Sequence, residues 1–289
     1  MATESTGWEE WPVQVSEPAG RDLRAALARG TGPAGRAGAL IAAAEAAALL
    51  ADRSVPALPA EAELTKAVLA VTLPQLIAPG LPLADVQPLV GHFPQLVRGF
   101  AAELVDRDGL AAAVLGRPAA DPSGPLPARG CAQSTRSCAQ STRGCSAVQA
   151  LPGLLRTLPG RGAPRQVLDG ATALLAAGDE LHRRMAETRS AAETAARPLA
   201  EAYGTLYAGA AALHLWAAYA EARAAHPLWA QAGWLRAVLA ELAVRLAGQL
   251  GEPVPYPVEA LDGRRYGALM ALAARTHAPL TPFGSPKQP

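Results

Sequence analysis

The sequence predicts an all-α protein, a helical bundle of long Ala/Leu-rich antiparallel helices with a disordered internal loop. Ala makes up roughly a quarter of the 289 residues, several times its usual share. Because Ala is the best helix former and a poor strand former, composition alone favours helices. Apolar residues also recur at spacings of four and three within 199–250, which is the period of one face of an α-helix.

The range 199–250 is predicted to form two successive amphipathic helices that fold back on each other. Pro227 lacks an N–H and disfavours the α conformation at His226, so the chain should turn at Ala224–Pro227 and return as an antiparallel hairpin. Charged residues of the second helix fall mostly off its apolar stripe and can stay in water. The two stripes are Leu199, Tyr203, Leu206, Ala210, Leu213 and Ala217, then Leu235, Val238, Leu239, Leu242 and Leu246.

The stretch Ala202–Ala220 contains no charged side chain and is about long enough to cross a bilayer. It consists mostly of Ala and Gly, which gain little free energy on transfer into lipid compared with Leu or Ile. We therefore expect a helix buried inside the bundle rather than a membrane span. Its small residues should let neighbouring helices approach closely.

Gly and Pro residues divide the chain ahead of this hairpin into shorter helices. Pro56 and Pro59 are expected to close the second of them. Pro74 lies inside the third and should kink it or end it early. The helices predicted here are Asp22–Arg29, Ala34–Asp52, Glu61–Ala78, short turns within Pro79–Pro94, and Gln95–Val105.

Arg117–Gly144 is rich in Pro and Gly and is predicted to be a disordered loop. Helices are expected again at Ser146–Leu158, at Gln166–Thr194, in the hairpin and at Val258–Thr276. The predicted organisation is a flexible arm over 1–20, a first helical segment over 21–116, the loop over 117–146, a second helical segment over 147–276 packing with the first into one bundle, and a loose tail over 277–289.

Cys131, Cys138 and Cys145 are spaced by seven residues in a tandem duplication of a heptapeptide unit. On a helix, a spacing of seven would place three thiols on one face as a metal or redox site. Zinc sites, however, favour closely spaced Cys pairs and a fourth ligand. The flanks rich in Pro, Gly and Arg instead favour a duplicated, solvent-exposed loop.

The sequence contains no nucleophile elbow, phosphate-binding loop, dinucleotide-binding or zinc-protease motif. A di-iron bundle needs two Glu-x-x-His motifs, and the chain has only the related Asp179-x-x-His182. His214 is predicted to be a buried histidine hydrogen-bonded to the backbone or to a Tyr, rather than a catalytic base. Glu45 is expected on a solvated helix face rather than as a buried acid. Catalytic and cofactor-binding residues stay unassigned, and no metal ligands are predicted.

The net charge is +1, with acids and bases interspersed along the chain. No sustained field attracts nucleic acid or an anionic membrane, so neither is an expected partner. Residues 1–11 are polar and acidic and lack the apolar core of a secretory signal. A cytoplasmic location is therefore expected.

Four stretches occur here in an order and at a spacing found together in one enzyme family. They are Thr65–Pro74, His92–Arg98, Leu206–Trp216 and Gly233–Leu239. They resemble the carboxy-terminal helical region of bacterial acyl-CoA dehydrogenase-like proteins, in particular long variants from actinobacterial biosynthetic clusters. The resemblance extends over residues 34–105 and 165–275.

In a complete acyl-CoA dehydrogenase this helical region packs beside an amino-terminal helical domain and a β-domain that holds FAD. The present chain lacks room for those two domains and lacks the Arg-x-x-Phe-Gly motif for the flavin pyrophosphate. No Glu matches the catalytic base by motif, so no functional residue is carried over. The resemblance implies a truncated noncatalytic relative, or a partner subunit in flavin-dependent dehydrogenation of acyl thioesters that is inactive alone and binds FAD only with its partner.

A cofactor-free helical scaffold or interaction protein is the alternative function. Exposed Trp8, Trp11 and Trp234 would then be the contact anchors. The dehydrogenase hypothesis differs in requiring a homo- or hetero-oligomer and a large apolar surface where the missing domains would sit. A small-molecule-binding bundle is a third hypothesis. Its cavity would be surrounded by Tyr203, Tyr207, His214 and Trp216.

Overall fold

The computed structural model describes residues 34–57, 59–77, 85–101, 144–188, 193–221 and 229–252. Within these ranges every regular element is helical and no strand occurs, which confirms the predicted all-α class. Short 3-10 turns lie at Pro59–Glu61, Pro159–Arg161 and Ala230–Ala232. The α-helices are α1 (Ala34–Ala57), α2 (Ala62–Ile77), α3 (Gln87–Gly91), α4 (Phe93–Ala101), α5 (Ser146–Gln149), α6 (Leu151–Thr157), α7 (Arg165–Glu187), α8 (Glu193–Tyr219) and α9 (Gly233–Leu250).

Helix α8 lies at the centre of these elements and packs against α1, α2, α7 and α9. Every residue from Ala202 to Ala217 is buried, which confirms the expected buried helix. Burial extends around all sides of α8, so the prediction of an amphipathic helix is wrong here. Small residues allow this, since a Cβ added at Gly209 would lie 2.7 Å from the Leu174 side chain of α7. No helix in the described ranges combines the length and apolarity needed to span a membrane.

Helices α7 and α8 run antiparallel. His182, late in α7, meets Tyr203 in the first half of α8. Leu174, two turns earlier in α7, meets Gly209 further along α8. The chain direction is therefore opposite in the two helices.

A chain of side-chain hydrogen bonds joins α2, α8 and α9. The Gln249 amide donates to the Gln75 side-chain oxygen at 3.2 Å, and the Thr205 hydroxyl donates to the Gln249 oxygen at 2.9 Å. The Gln75 amide in turn donates to the Glu201 carbonyl at 3.0 Å. The start of α8 thus lies beside the ends of α2 and α9, whereas the end of α8 shares a cavity with the turn that directly precedes α9. Helices α7 and α9 consequently run parallel to each other on the surface of α8.

Two helices continue past prolines that were expected to close or interrupt them. Helix α1 runs through Pro56 to Ala57, because a proline in the last turn removes only one hydrogen bond. Helix α2 continues through Pro74 to its end at Ile77. The carbonyl that would have bonded to the missing N–H belongs to Ala70, which is exposed, so water can replace the lost donor.

Two other predicted boundaries are wrong. Helix α7 ends at Glu187 instead of near Thr194, and the Thr188 hydroxyl donates to the Arg184 carbonyl at 2.7 Å. That bond satisfies one of the last helical carbonyls. The predicted helix Ser146–Leu158 is divided into α5 and α6. Pro152, in the first turn of α6, has no N–H and so cannot continue the backbone hydrogen bonds of α5.

Several sequence predictions fall outside the described residues. They concern the arm and the tail, the loop before residue 144, the break at Ala224–Pro227, the helices Asp22–Arg29 and Val258–Thr276, and the side chains of Trp8, Trp11, Cys131 and Cys138. They stay predictions.

Candidate functional site

A buried carboxylate connects the turn before α2 to the start of α5. Glu61 is only 5% exposed. Its Oε2 accepts hydrogen bonds from the Ser146 backbone N–H at 3.0 Å and from the Ser146 hydroxyl at 2.6 Å. The first N–H groups of a helix have no partner within the helix, and a carboxylate is a strong acceptor for them. Glu61 therefore holds α5 in place.

Cys145, Tyr203 and Tyr207 lie close to Glu61. The Cys145 thiol and the Tyr203 hydroxyl share a hydrogen bond. Burial, with a smaller contribution from the Glu61 carboxylate, raises the pKa of Cys145 to about 12. Burial also raises the pKa of Tyr203 and that of Tyr207 well above the usual value. We call these four residues and Ser146 the buried polar cluster.

The prediction of a solvent-exposed cysteine loop is wrong for Cys145, which is 3% exposed and directly precedes α5. A helix begins directly after Cys145, at Ser146. The start of this helix places the Cys145 thiol against α8. Since the thiolate is the reactive form, a buried thiol with a raised pKa is a poor nucleophile.

We expect Cys145 to resist thiol reagents in the native protein. In a Cys131→Ser, Cys138→Ser variant, an aromatic disulfide reagent at pH 8 should react with Cys145 on the order of 10³-fold more slowly than in denaturant, because opening is required first. Absorbance of the released thiolate measures the rate. Rapid native labelling would contradict both the burial and the raised pKa.

His182 is stacked between aromatic neighbours beside this cluster. Its ring lies parallel to Phe100 with centroids 3.8 Å apart, and it meets Tyr203 edge-on at 5.7 Å. The Nδ1 atom lies 2.6 Å from the Gly178 carbonyl, so Nδ1 carries the proton and donates it. Burial lowers the pKa of His182 to about 4, and the ring is neutral at pH 7.

His214 confirms the prediction of a buried histidine bonded to the backbone. It is fully buried, and its Nε2 donates to the Ala147 carbonyl at 2.9 Å. Burial lowers the pKa of His214 to about 4. This hydrogen bond ties α8 to α5, so the histidine serves packing and orientation.

The partial motif Asp179-x-x-His182 does not form a metal site. Asp179 is exposed, whereas His182 is buried in the aromatic stack. Within the ranges that the structure covers, no three His, Cys, Asp or Glu side chains are grouped closely enough to hold a metal ion.

An apolar groove runs along the surface between α7 and α9, with a volume of about 510 Å³. Volumes of this size are typical of ligand-binding clefts. We call it the α7/α9 groove. Its walls include Ala173, Leu174 and Ala177 of α7 and Ala243, Leu246 and Leu250 of α9.

The charged residues that line this groove lie at the end where α7 and α9 terminate. The Glu180 carboxylate accepts hydrogen bonds from Arg183 and Arg184, which lower the pKa of Glu180 to about 2. Arg184 also donates to the Leu250 carbonyl and to the Glu252 carboxylate. One end of the groove is therefore ionic, and the rest of its wall is aliphatic.

Trp216 lines a separate cavity of about 560 Å³ at the opposite end of α8. Arg161 forms part of that cavity and donates a hydrogen bond to the Ala217 carbonyl. Tyr203 and Tyr207 lie instead in the buried polar cluster. The four residues of the small-molecule hypothesis are thus divided between different parts of α8.

Trp234 is not the exposed contact anchor that the sequence suggested. It is fully buried and packs edge-on against Trp229, with ring centroids 5.5 Å apart.

Glu45 is partly exposed on α1.

The described residues therefore present two different chemical regions. The buried polar cluster and the two histidines hold reactive side chain types inside the core, whereas the α7/α9 groove is open and apolar. Sequence reasoning missed the groove, since neither α7 nor α9 carries a motif. No family model, curated protein or solved structure matches this chain.

Proposed function

We propose that this chain is a noncatalytic helical interaction protein that binds a partner in the α7/α9 groove. The observation that supports this function best is the contrast between that open apolar groove and the enclosed reactive groups. A nucleophile or general base must reach its substrate, whereas Cys145, His182 and His214 are buried.

The aliphatic walls of the groove suit the apolar face of a partner helix, which is a common mode of recognition. The ion pair of Glu180 and Arg183 makes one end of the groove polar while the rest is aliphatic. A partner helix with polar residues at one end of its apolar face would therefore bind in one direction.

We further propose that the partner is a flavin-binding dehydrogenase subunit acting on acyl thioesters. This choice rests on the resemblance of Thr65–Pro74 and Leu206–Trp216 to acyl-CoA dehydrogenase-like helices. FAD would be held by the partner, and the present chain would stabilise the assembly.

Co-expression with a dehydrogenase-like open reading frame adjacent to its gene tests the function. We expect a stoichiometric complex that carries a flavin absorption band. Ala243→Arg places a charged side chain on the groove wall and should weaken the complex about 100-fold, as loss of a central apolar contact does. Val244→Arg, at an exposed position outside the wall, should leave it intact.

Mass and visible absorbance on the same sample separate the outcomes. A complex that is sensitive to Ala243→Arg but colourless would retain the interaction function and exclude the flavin partner. If Ala243→Arg and Val244→Arg bind the partner equally well and circular dichroism shows both to be folded, the partner does not bind in the groove.

A further inference from the structure

The ionic end of the α7/α9 groove carries an excess of negative charge. Glu180 and Glu252 line this end together with Arg183. Arg184 forms ion pairs with both of these carboxylates, and Arg183 forms ion pairs with Glu180 and Glu187. Three carboxylates thus meet two guanidinium groups, which leaves one negative charge in excess.

Both helices that form the walls of the groove end at this place. Helix α7 ends at Glu187 and α9 at Leu250, and Arg184 of α7 donates a hydrogen bond to the Leu250 carbonyl. The C-terminus of a helix acts as roughly half a negative charge. The two helix ends therefore add to the negative potential of the carboxylates, and this end of the groove favours a cation.

The Glu252 carboxylate can accept further hydrogen bonds. Half of its side chain is exposed, and Arg184 donates to one of its oxygens. An ionised carboxylate offers about four acceptor positions. Elsewhere in the same chain, Glu61 accepts the backbone N–H of Ser146, where α5 begins. By the same chemistry, Glu252 can accept the first N–H groups of a helix, or an ammonium group, in the groove.

We infer that the partner helix lies antiparallel to α7 and α9 and carries a lysine or arginine in its first turn, on the same side as its aliphatic residues. The inference rests on the proposed function, which makes a helix the occupant of the groove. The wall from Gly170 to Arg183 is about 20 Å long at 1.5 Å per residue, so roughly 13 residues of the partner lie in it. Beyond the first turn, these residues contact the aliphatic walls at Leu174 and Leu246.

The opposite direction is unfavourable for two physical reasons. It would bring the negative C-terminus of the partner helix against the C-termini of α7 and α9 and the excess carboxylate. It would also place the basic side chain of the first turn near Gly170 and Leu239, on aliphatic walls without an acidic partner.

Two synthetic peptides of equal composition test the chemistry of the partner with the full-length chain. Both are about 18 residues long, which covers the wall, and carry leucines at helical spacing. One has two lysines in its first turn and the other has them in its last turn. A hydrocarbon staple on the polar side makes both helical before binding, and both ends are blocked. Fluorescence anisotropy should show about tenfold tighter binding of the first peptide, with a smaller difference at high salt.

Glu252→Gln removes the charge that is expected to receive the lysines. It should weaken binding of the first peptide about fivefold, as loss of an ion pair at a half-exposed site does. Glu63→Gln is the matched control, because Glu63 also forms an ion pair, with Lys66, but lies on α2 outside the groove wall. This control should bind the first peptide as tightly as the unaltered chain does.

Disulfide trapping measures the direction of the bound peptide. Cys131→Ser and Cys138→Ser remove two native thiols, and Cys145 is buried. A thiol is introduced on the groove wall by Ala247→Cys toward the ionic end or by Ala173→Cys toward the other end. A thiopyridyl-activated cysteine at the start of the first peptide should react about tenfold faster at 247 than at 173, and one at its last residue should show the reverse. Absorbance of the released pyridinethione gives the rates.

The outcomes for the inference and for the proposed function are separate. Equal trapping rates at both thiols, the reverse preference, or tighter binding of the second peptide would overturn the inference, and Ala243→Arg-sensitive binding would still keep the groove as the partner site. Failure of both peptides to bind, in a chain that forms the Ala243→Arg-sensitive complex on co-expression, would likewise overturn only the inference. Binding of the first peptide in the expected direction, without any complex on co-expression, would support the inference and exclude the dehydrogenase subunit as the partner.

Discussion

Lowering the pH from 7.5 to 5 is expected to remove about 4 kcal/mol from the free energy of unfolding through His182 and His214 alone. Burial lowers the pKa of each ring to about 4, against 6.5 for an ordinary histidine. Between these values the unfolded chain binds a proton at each histidine that the native protein does not bind. Stability is therefore fully present above pH 6.5 and falls as the pH decreases toward 4.

The structural reason is that, among the described residues, neither ring has an acidic partner that would favour its charged form. His182 is stacked on Phe100, and its Nδ1 already donates to a backbone carbonyl. His214 lies in α8, which is buried on all sides, and its Nε2 donates to the Ala147 carbonyl. Protonation would place a charge in the core at both sites, which is costly without a compensating acceptor.

Isosteric amides provide the test by urea unfolding between pH 5 and 7.5. The Asn side chain of His182→Asn keeps an N–H near the position of Nδ1, which donates to the Gly178 carbonyl. The Gln side chain of His214→Gln keeps an N–H near the position of Nε2, which donates to the Ala147 carbonyl. Neither amide titrates in this pH range. Each should reduce the pH dependence by about 1.4 kcal/mol per pH unit, and the double variant by about twice that amount. An unchanged slope in the double variant would show that other groups cause the acid sensitivity.

Local patterns sufficed to predict the all-α class and the burial of His214. The spacing of Leu199, Tyr203 and Leu206 matches the period of an α-helix, which predicts the class. The stretch around His214 contains no charged side chain, which predicts that this histidine is buried. The prediction that Trp234 is exposed is wrong, because this side chain packs against Trp229 on the other side of a turn. No local sequence pattern specifies the geometry of that turn.

The candidate site depends on contacts that only the tertiary fold creates. Glu61 and Ser146 are 85 residues apart in the sequence, and neither belongs to a recognisable motif. The groove arises because α7 and α9 run parallel beside α8, which no single helix encodes. Cys145 follows the two copies of the heptapeptide unit, and the repeat pattern does not indicate that a helix begins at Ser146 and that Cys145 is buried.

Gly204→Ala is expected to destabilise the protein by about 1–3 kcal/mol, although alanine is the better helix former. A Cβ at this position in α8 would lie 2.6 Å from the Gln75 amide nitrogen and 3.2 Å from the Thr72 Cα of α2. The Gln75 side chain could move only by giving up its bond to the Glu201 carbonyl, and the Thr72 Cα could move only with its helix.

Gly248→Ala is the matched control, because a Cβ there meets nothing within 4 Å in α9. It should stabilise the protein by up to about 1 kcal/mol through helix propensity alone. Chemical denaturation of both variants measures the difference. Gln75→Ala combined with Gly204→Ala should cost less than the sum of the single changes, since one clash is then removed. Equal stabilisation by both glycine replacements would mean that α2 and α8 are further apart than their contacts at Thr72 indicate.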